Sequence, residues 1–131
     1  MSVVQDIAAY LGEQGIATFG TDLFVWHQPD QPNALVALFD YPGIGGQYEH
    51  DQPAPAISYP RFTVNVRDAA PDVAESRSRA IAVVLEAIRN QTINGTRFLA
   101  VRRVGSGGQM TGRDDSNRYI YVVSYEATIS R

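Results

Sequence analysis

Asp114 and Asp115 stand side by side in GRDDSNR, residues 112–118, directly ahead of a run of tyrosines and valines. Paired carboxylates are what a metal-dependent nuclease uses to hold its cations, so this is the first place to look for chemistry. Consecutive residues on a strand point to opposite faces, however, and no third carboxylate or histidine stands close by in sequence. Asp and Asn are also what turns favour, because their side chains bond back to the local backbone. The stretch reads as a turn that launches a strand.

The other candidates are weaker. His27 and His50 are the only histidines, each in or beside a proline-rich stretch. Glu49-His50-Asp51 offers ligand types, but consecutive residues seldom converge on one ion. GSGG, residues 105–108, lacks the Lys-Ser/Thr of a phosphate loop and leads to a strand, where such a loop opens a helix. No serine sits in a nucleophile-elbow pattern. Cysteine is absent, which removes thiolate metal sites, disulfides and cysteine nucleophiles. The expectation is a protein with no catalytic residues, no cofactor and no metal.

The elements around these residues come from a chain of 131 residues, a length that suits one domain, 1–131. Hydrophobic residues make up 44% and charged residues 19%, a globular composition. A formal charge of −3 argues against a dedicated nucleic-acid binder. The opening MSVVQDIAAYLGEQG has no basic n-region and carries Gln5 and Asp6 inside its apolar pattern, so neither a signal peptide nor a membrane span is expected. Folding in a cytoplasm follows.

Ser2 and Gln5 form a capping-box pattern, and Val3, Val4, Ile7, Ala8 and Leu11 recur at helical spacing. Residues 22–27 suit a short strand. The apolar run 34–39 suits a strand buried on both faces, with a helical turn as the alternative. Residues 41–56, with Gly43, Gly45, Gly46, Pro53 and Pro55, read as a long Gly/Pro-rich loop, and loops of that length are usually functional or mobile. Tyr41, Gly43, Gly46, Tyr48, His50 and Pro53 are its candidate assembly residues. In residues 61–67 Phe62, Val64 and Val66 alternate with Arg61, Thr63, Asn65 and Arg67, giving one core face and one wet face. A second helix is predicted from Pro71 or Asp72 to about Asn90, with Glu75 completing a capping box. Val73, Ile81, Val84, Leu85 and Ile88 form its stripe, and Glu75 and Arg79 an i,i+4 pair. Asn94-Gly95 marks a turn, residues 96–104 a strand, and residues 105–117 a glycine-rich connection. The pattern predicts α+β: a mainly antiparallel sheet of about four to five strands with both helices on one face.

The last strand, residues 118–129, is long for such a domain. Tyr119, Tyr121, Val123, Tyr125, Ala127 and Ile129 point towards the helices. Arg118, Ile120, Val122, Ser124, Glu126 and Thr128 point the other way, and Ile120 and Val122 make the middle of that face apolar. On a free sheet face, such residues are covered either by the chain's own loop or by a neighbouring subunit.

From about residue 18 onward the chain resembles the bacteriophage minor capsid or tail-terminator (tail-completion) family. The likeness rests on the P-x-x-P turn at 29–32, the V-R-D strand end at 66–68 leading into the central helix, and the G-x-D-D-x-x-R turn at 112–118. It implies a ring, typically a hexamer, that caps the finished tail tube, stops its growth and joins the tail to the head connector or stopper protein. Its partners would be further copies of itself, the tail tube protein and the connector, with viral DNA passing through the lumen without specific binding and no membrane involved. Its place would be the head-proximal end of the virion tail, assembled in the host cytoplasm. Arg113, Asp114, Asp115, Arg118, Ile120, Val122 and Glu126 are the candidate subunit-interface residues. The rival readings are a monomeric binding module using the 41–56 loop and a metal-dependent nuclease using Asp114 and Asp115.

Overall fold

The computed structural model describes residues 3–47, 57–105, 108–114 and 116–130. Among these, the chain forms two helices and a seven-stranded sheet. In chain order they are α1 (Val3–Glu13), β1 (Leu23–Val25), β2 (Leu35–Gln47), β3 (Ile57–Asp68), α2 (Pro71–Glu86), β4 (Arg89–Ile93), β5 (Thr96–Arg103), β6 (Gln109–Arg113) and β7 (Tyr119–Ser130). No helix among the described residues is long and apolar enough to cross a membrane.

The sheet runs β1-β2-β3-β7-β5-β4, with β6 also on β7. The α+β class stands, but the sheet exceeds the expected about four to five strands, and β1 pairs with β2 in parallel. The extra strands are short and carry little pattern of their own. The length of β7 has a structural cause. β3 flanks it from Tyr119 to Ser130, while on its other side β6 takes Tyr119–Val122 and β5 takes Tyr125–Ser130.

Leu35, Val36, Ala37 and Leu38 of β2 are wholly buried, on both faces, as their unbroken apolar run requires. The expected loop from residue 41 is strand as far as Gln47, so Tyr41, Gly43 and Gly46 lie in β2. The register against β3 slips after Tyr41 and again after Ile44, irregularities that glycines absorb. β1 covers only Val36–Leu38, so this later part is an edge, where Pro42 lacks no needed ladder bond. Tyr48, His50 and Pro53 lie outside the described residues.

α2 ends at Glu86 rather than near Asn90. Arg89 Nη1 donates to the carbonyls of Glu86 and Ile88, and Asn90 adopts a left-handed φ of 47° that a helix cannot continue. Residues 89–93 instead form β4, joined to β5 by a tight turn in which Asn94 and Gly95 both have positive φ. The helix's buried face is Ala74, Ser78, Ile81, Ala82 and Leu85, with Ile88 just beyond it. Val73 is exposed and Val84 half-buried, so the stripe is rotated from the expected one towards small residues that let the helix lie close to the sheet. The N-cap is Ala70, with no side-chain cap, and Glu75 pairs with Arg79 instead of closing a capping box.

Both helices cover one sheet face. Val4, Ile7 and Leu11 of α1 and Ile81 and Leu85 of α2 share a core with Phe62, Val64, Val66, Val123, Tyr125 and Ala127. Phe62 and Tyr125, paired in register, stack with centroids 5.4 Å apart. α1 is further fixed by Asp6, which is buried and accepts from Asn94 Nδ2 at 3.1 Å and Thr96 Oγ1 at 2.8 Å.

Candidate assembly surface

The face of the sheet turned away from the helices carries most of the singled-out residues. In register across β3 and β7 stand Arg67 with Ile120, Asn65 with Val122, Thr63 with Ser124 and Arg61 with Glu126.

Within GRDDSNR, Gly112 and Arg113 end β6, and Asp114 closes the turn into β7. The Asp114 N–H donates to the Arg118 carbonyl at 2.8 Å, and Asp114 Oδ1 accepts the N–H groups of Ser116 at 2.9 Å and Arg118 at 3.0 Å. Asn117 supplies the positive φ, 61°, that closes the turn. Arg118 Nε donates to Asp114 Oδ2 at 2.8 Å. The Arg118 hydrogen bond, above all, holds the Asp114 carboxyl down at about 2. Asp115 lies outside the described residues. Arg113 is exposed, its guanidinium 6.0 Å over the Tyr119 ring.

Arg118 and Arg67 are both buried, although the sequence assigns Arg67 to a wet face. A loop before β2 provides the reason. Arg67 donates to the carbonyls of Pro29 at 2.6 Å, Pro32 at 2.7 Å and Asn33 at 3.2 Å, so the loop folds over the strand and is held by backbone carbonyls. Arg118 reaches the same loop, donating to the Asp30 carbonyl and carboxylate. Burial, together with the neighbouring Arg118 charge, lowers the pKa of Arg67. Residues 28–33 thus cover the end of this face nearest Arg67.

At the other end Glu126 is buried between two arginines. Arg102 Nη2 donates to it at 2.7 Å and Arg61 Nε at 3.1 Å. Burial pushes the Glu126 carboxyl up, but the bonds from Arg102 and Arg61 prevail and hold it below its ordinary value. Between these two clusters Ile120 and Val122 are half-buried, and β6 pairs beside Val122 through Gln109. The face is therefore a short apolar patch set between two ion-paired clusters. The loop cover and the second partner of Glu126 lie far off in sequence, so no local pattern signals them.

Of the remaining candidates, Glu49, His50 and Asp51 lie outside the described residues. His27 Nδ1 lies 3.2 Å from the Val25 carbonyl with its ring edge-on to Phe24. Among the described residues no three His, Asp or Glu side chains gather in a metal-holding group. A cavity of about 210 Å³ between α2 and β7 is lined by Ser78, Arg79, Ala82, Arg103, Gly108, Tyr121 and Val123. Its arginines are already paired, Arg79 with Glu75 and Arg103 with Glu86.

A family model described as bacteriophage tail terminator protein matches residues 10–131. No curated protein matches the chain. Among solved structures the fold is similar to a chain from the virion of a native gene transfer agent particle, at 12% identity and TM-score 0.62, covering 100% of this chain and 87% of that one. A second solved chain is similar at 17% identity and TM-score 0.54, with 99% and 98% covered.

Proposed function

Because the chain belongs to the bacteriophage tail terminator family, a structural component of phage tails, we propose that it assembles into a closed ring, a hexamer, that caps the tail tube. In that position it stops tube polymerisation and joins the tail to the head connector, at the head-proximal end of the virion. It performs no catalysis, and DNA passes through its lumen without specific binding. The family match over 10–131 carries the reading. The geometry is in keeping with it, since Asp114 lies in a turn and its carboxylate is committed to Arg118.

The contact between copies uses Ile120 and Val122, with Arg113 and the 112–118 turn at the border. Arg118 and Glu126 are engaged within the chain, so their part is to fix the strand beneath the patch. Rings close through heterologous contacts, which need two different complementary patches. Val122→Asp tests the reading. It places an unpaired carboxylate in the contact while leaving the core face of β7 untouched. The folded variant is expected to give no rings and, in an infection, tails of uncontrolled length that fail to join heads. Normal rings and joined particles from folded variant protein would move the contact elsewhere.

A further inference from the structure

The cavity of about 210 Å³ between α2 and β7 gathers hydrogen-bond donors that the fold itself leaves unused. Ser78 lines it from α2 and is only 2% exposed. Among the described residues its hydroxyl has no hydrogen-bond partner. A buried polar group without a partner costs stability, so such a group marks a place that something outside the fold completes. Gly108 borders the cavity so close to β7 that a Cβ there would lie 2.3 Å from Tyr121 Cε1. No side chain of that position fills the space.

Two arginines line the same cavity with donors to spare. Arg103 bonds Glu86 through Nε, at 2.5 Å, and its Nη1–Nη2 edge has no partner among the described residues. Arg79 bonds Glu75 through Nη2, which leaves its Nε and Nη1. A guanidinium edge with two N–H groups side by side grips a carboxylate through two parallel bonds.

The donors select an acceptor, and the surroundings select its charge and size. Arg79 and Arg103 are balanced by Glu75 and Glu86, so a doubly charged phosphate meets no net positive field. A single carboxylate still gains the directed bonds of the open guanidinium edge. The volume lies below the roughly 300 to 1,000 Å³ usual for small-molecule sites and suits one side chain.

We propose that this cavity receives the carboxylate of an Asp or Glu side chain from a partner protein. Arg103 is its two-pronged donor, Arg79 a second donor, and Ser78 bonds it from the buried side. The site goes beyond the ring reading and does not depend on which surfaces close the ring.

N-acetylglutamate N-methylamide, which carries a single carboxylate on a glutamate side chain, is the probe, and amide chemical shifts of isotope-labelled protein are the readout. Saturable shifts are expected at Ser78, Arg103 and Gly108, with a dissociation constant in the millimolar range. The matching glutamine compound, equal in shape and uncharged, should leave them unmoved. Arg103→Gln should weaken binding by at least about tenfold, the loss that a charge-assisted hydrogen bond carries. Its melting temperature should stay near that of the wild type, because exposed ion pairs contribute little. Ser78→Ala should also weaken binding without lowering the melting temperature, since its hydroxyl has no partner in the fold to lose. The absence of saturable shifts, equal shifts with the glutamine compound, or undiminished binding by folded Arg103→Gln would overturn the proposal. So would Ser78→Ala protein that melts well below the wild type, which would show the hydroxyl already engaged within the fold. Tighter binding of inorganic phosphate than of the glutamate probe would also overturn it and assign the cavity to a phosphate.

Discussion

The Asp114 carboxylate is joined twice to Arg118 across one turn, by the Arg118 N–H to Oδ1 at 3.0 Å and by its Nε to Oδ2 at 2.8 Å. The acidic residue that sequence alone offers as a metal ligand is therefore a structural clamp. With its carboxyl held at about 2, the clamp's contribution is complete above the unfolded value of about 3.9 and is lost as pH falls through the folded one. The amides of Ser116 and Arg118 should stay protected from exchange at pH 4 and lose protection towards pH 2. Asp114→Asn should remove most of that pH dependence. Unchanged protection at pH 2 would mean the carboxylate does not hold the turn.

Leu85→Ala should lower stability by about 2 to 5 kcal/mol, because Leu85 is wholly buried between α2 and the sheet. Chemical denaturation measures this directly. A midpoint within error of the wild type would mean that this face of α2 is not in the core.

Gly108→Ala should also destabilise, for a steric reason. A Cβ there would lie 2.3 Å from Tyr121 Cε1 and 2.5 Å from Val123 Cγ2, so β7 side chains must shift. Overpacking of this kind costs about 1 to 3 kcal/mol. A melting temperature equal to that of the wild type would show that Gly108 does not approach β7 so closely.

Arg67→Ala should free the loop at 28–33, since it removes the donor to the carbonyls of Pro29, Pro32 and Asn33. Amide exchange in that loop should rise, and the melting temperature should fall well below that of Arg97→Ala, an exposed position where about 0.5 kcal/mol is the usual limit. Equal effects from the two variants would contradict the burial of Arg67.

What the sequence made legible is what local periodicity encodes. Phe62, Val64 and Val66 alternate and face the core, Ile81 and Leu85 recur at helical spacing and are buried, and the unbroken run at β2 is buried on both faces. The turn reading of Asp114 followed from side-chain chemistry and stands. What escaped depends on partners far along the chain. Arg67 and Arg118 are buried only because the loop at 28–33 reaches them, and Asp6 is satisfied only by Asn94 and Thr96. The short strand at 22–27 was legible but its parallel pairing with β2 was not, and β4 was hidden because Arg89 and Asn90 extend the helical pattern until a left-handed residue ends it.

The proposed closure of copies of this chain into a ring on the end of a tail tube can be tested without mutation. The most direct measurement is the native mass of the purified protein, with negative-stain images of the same sample mixed with tail tubes. A discrete species of about six times the 14.4 kDa chain is expected, seen as rings alone and as a cap on tubes of uniform length. A monomer that leaves tube ends bare and tube growth unchecked would contradict it.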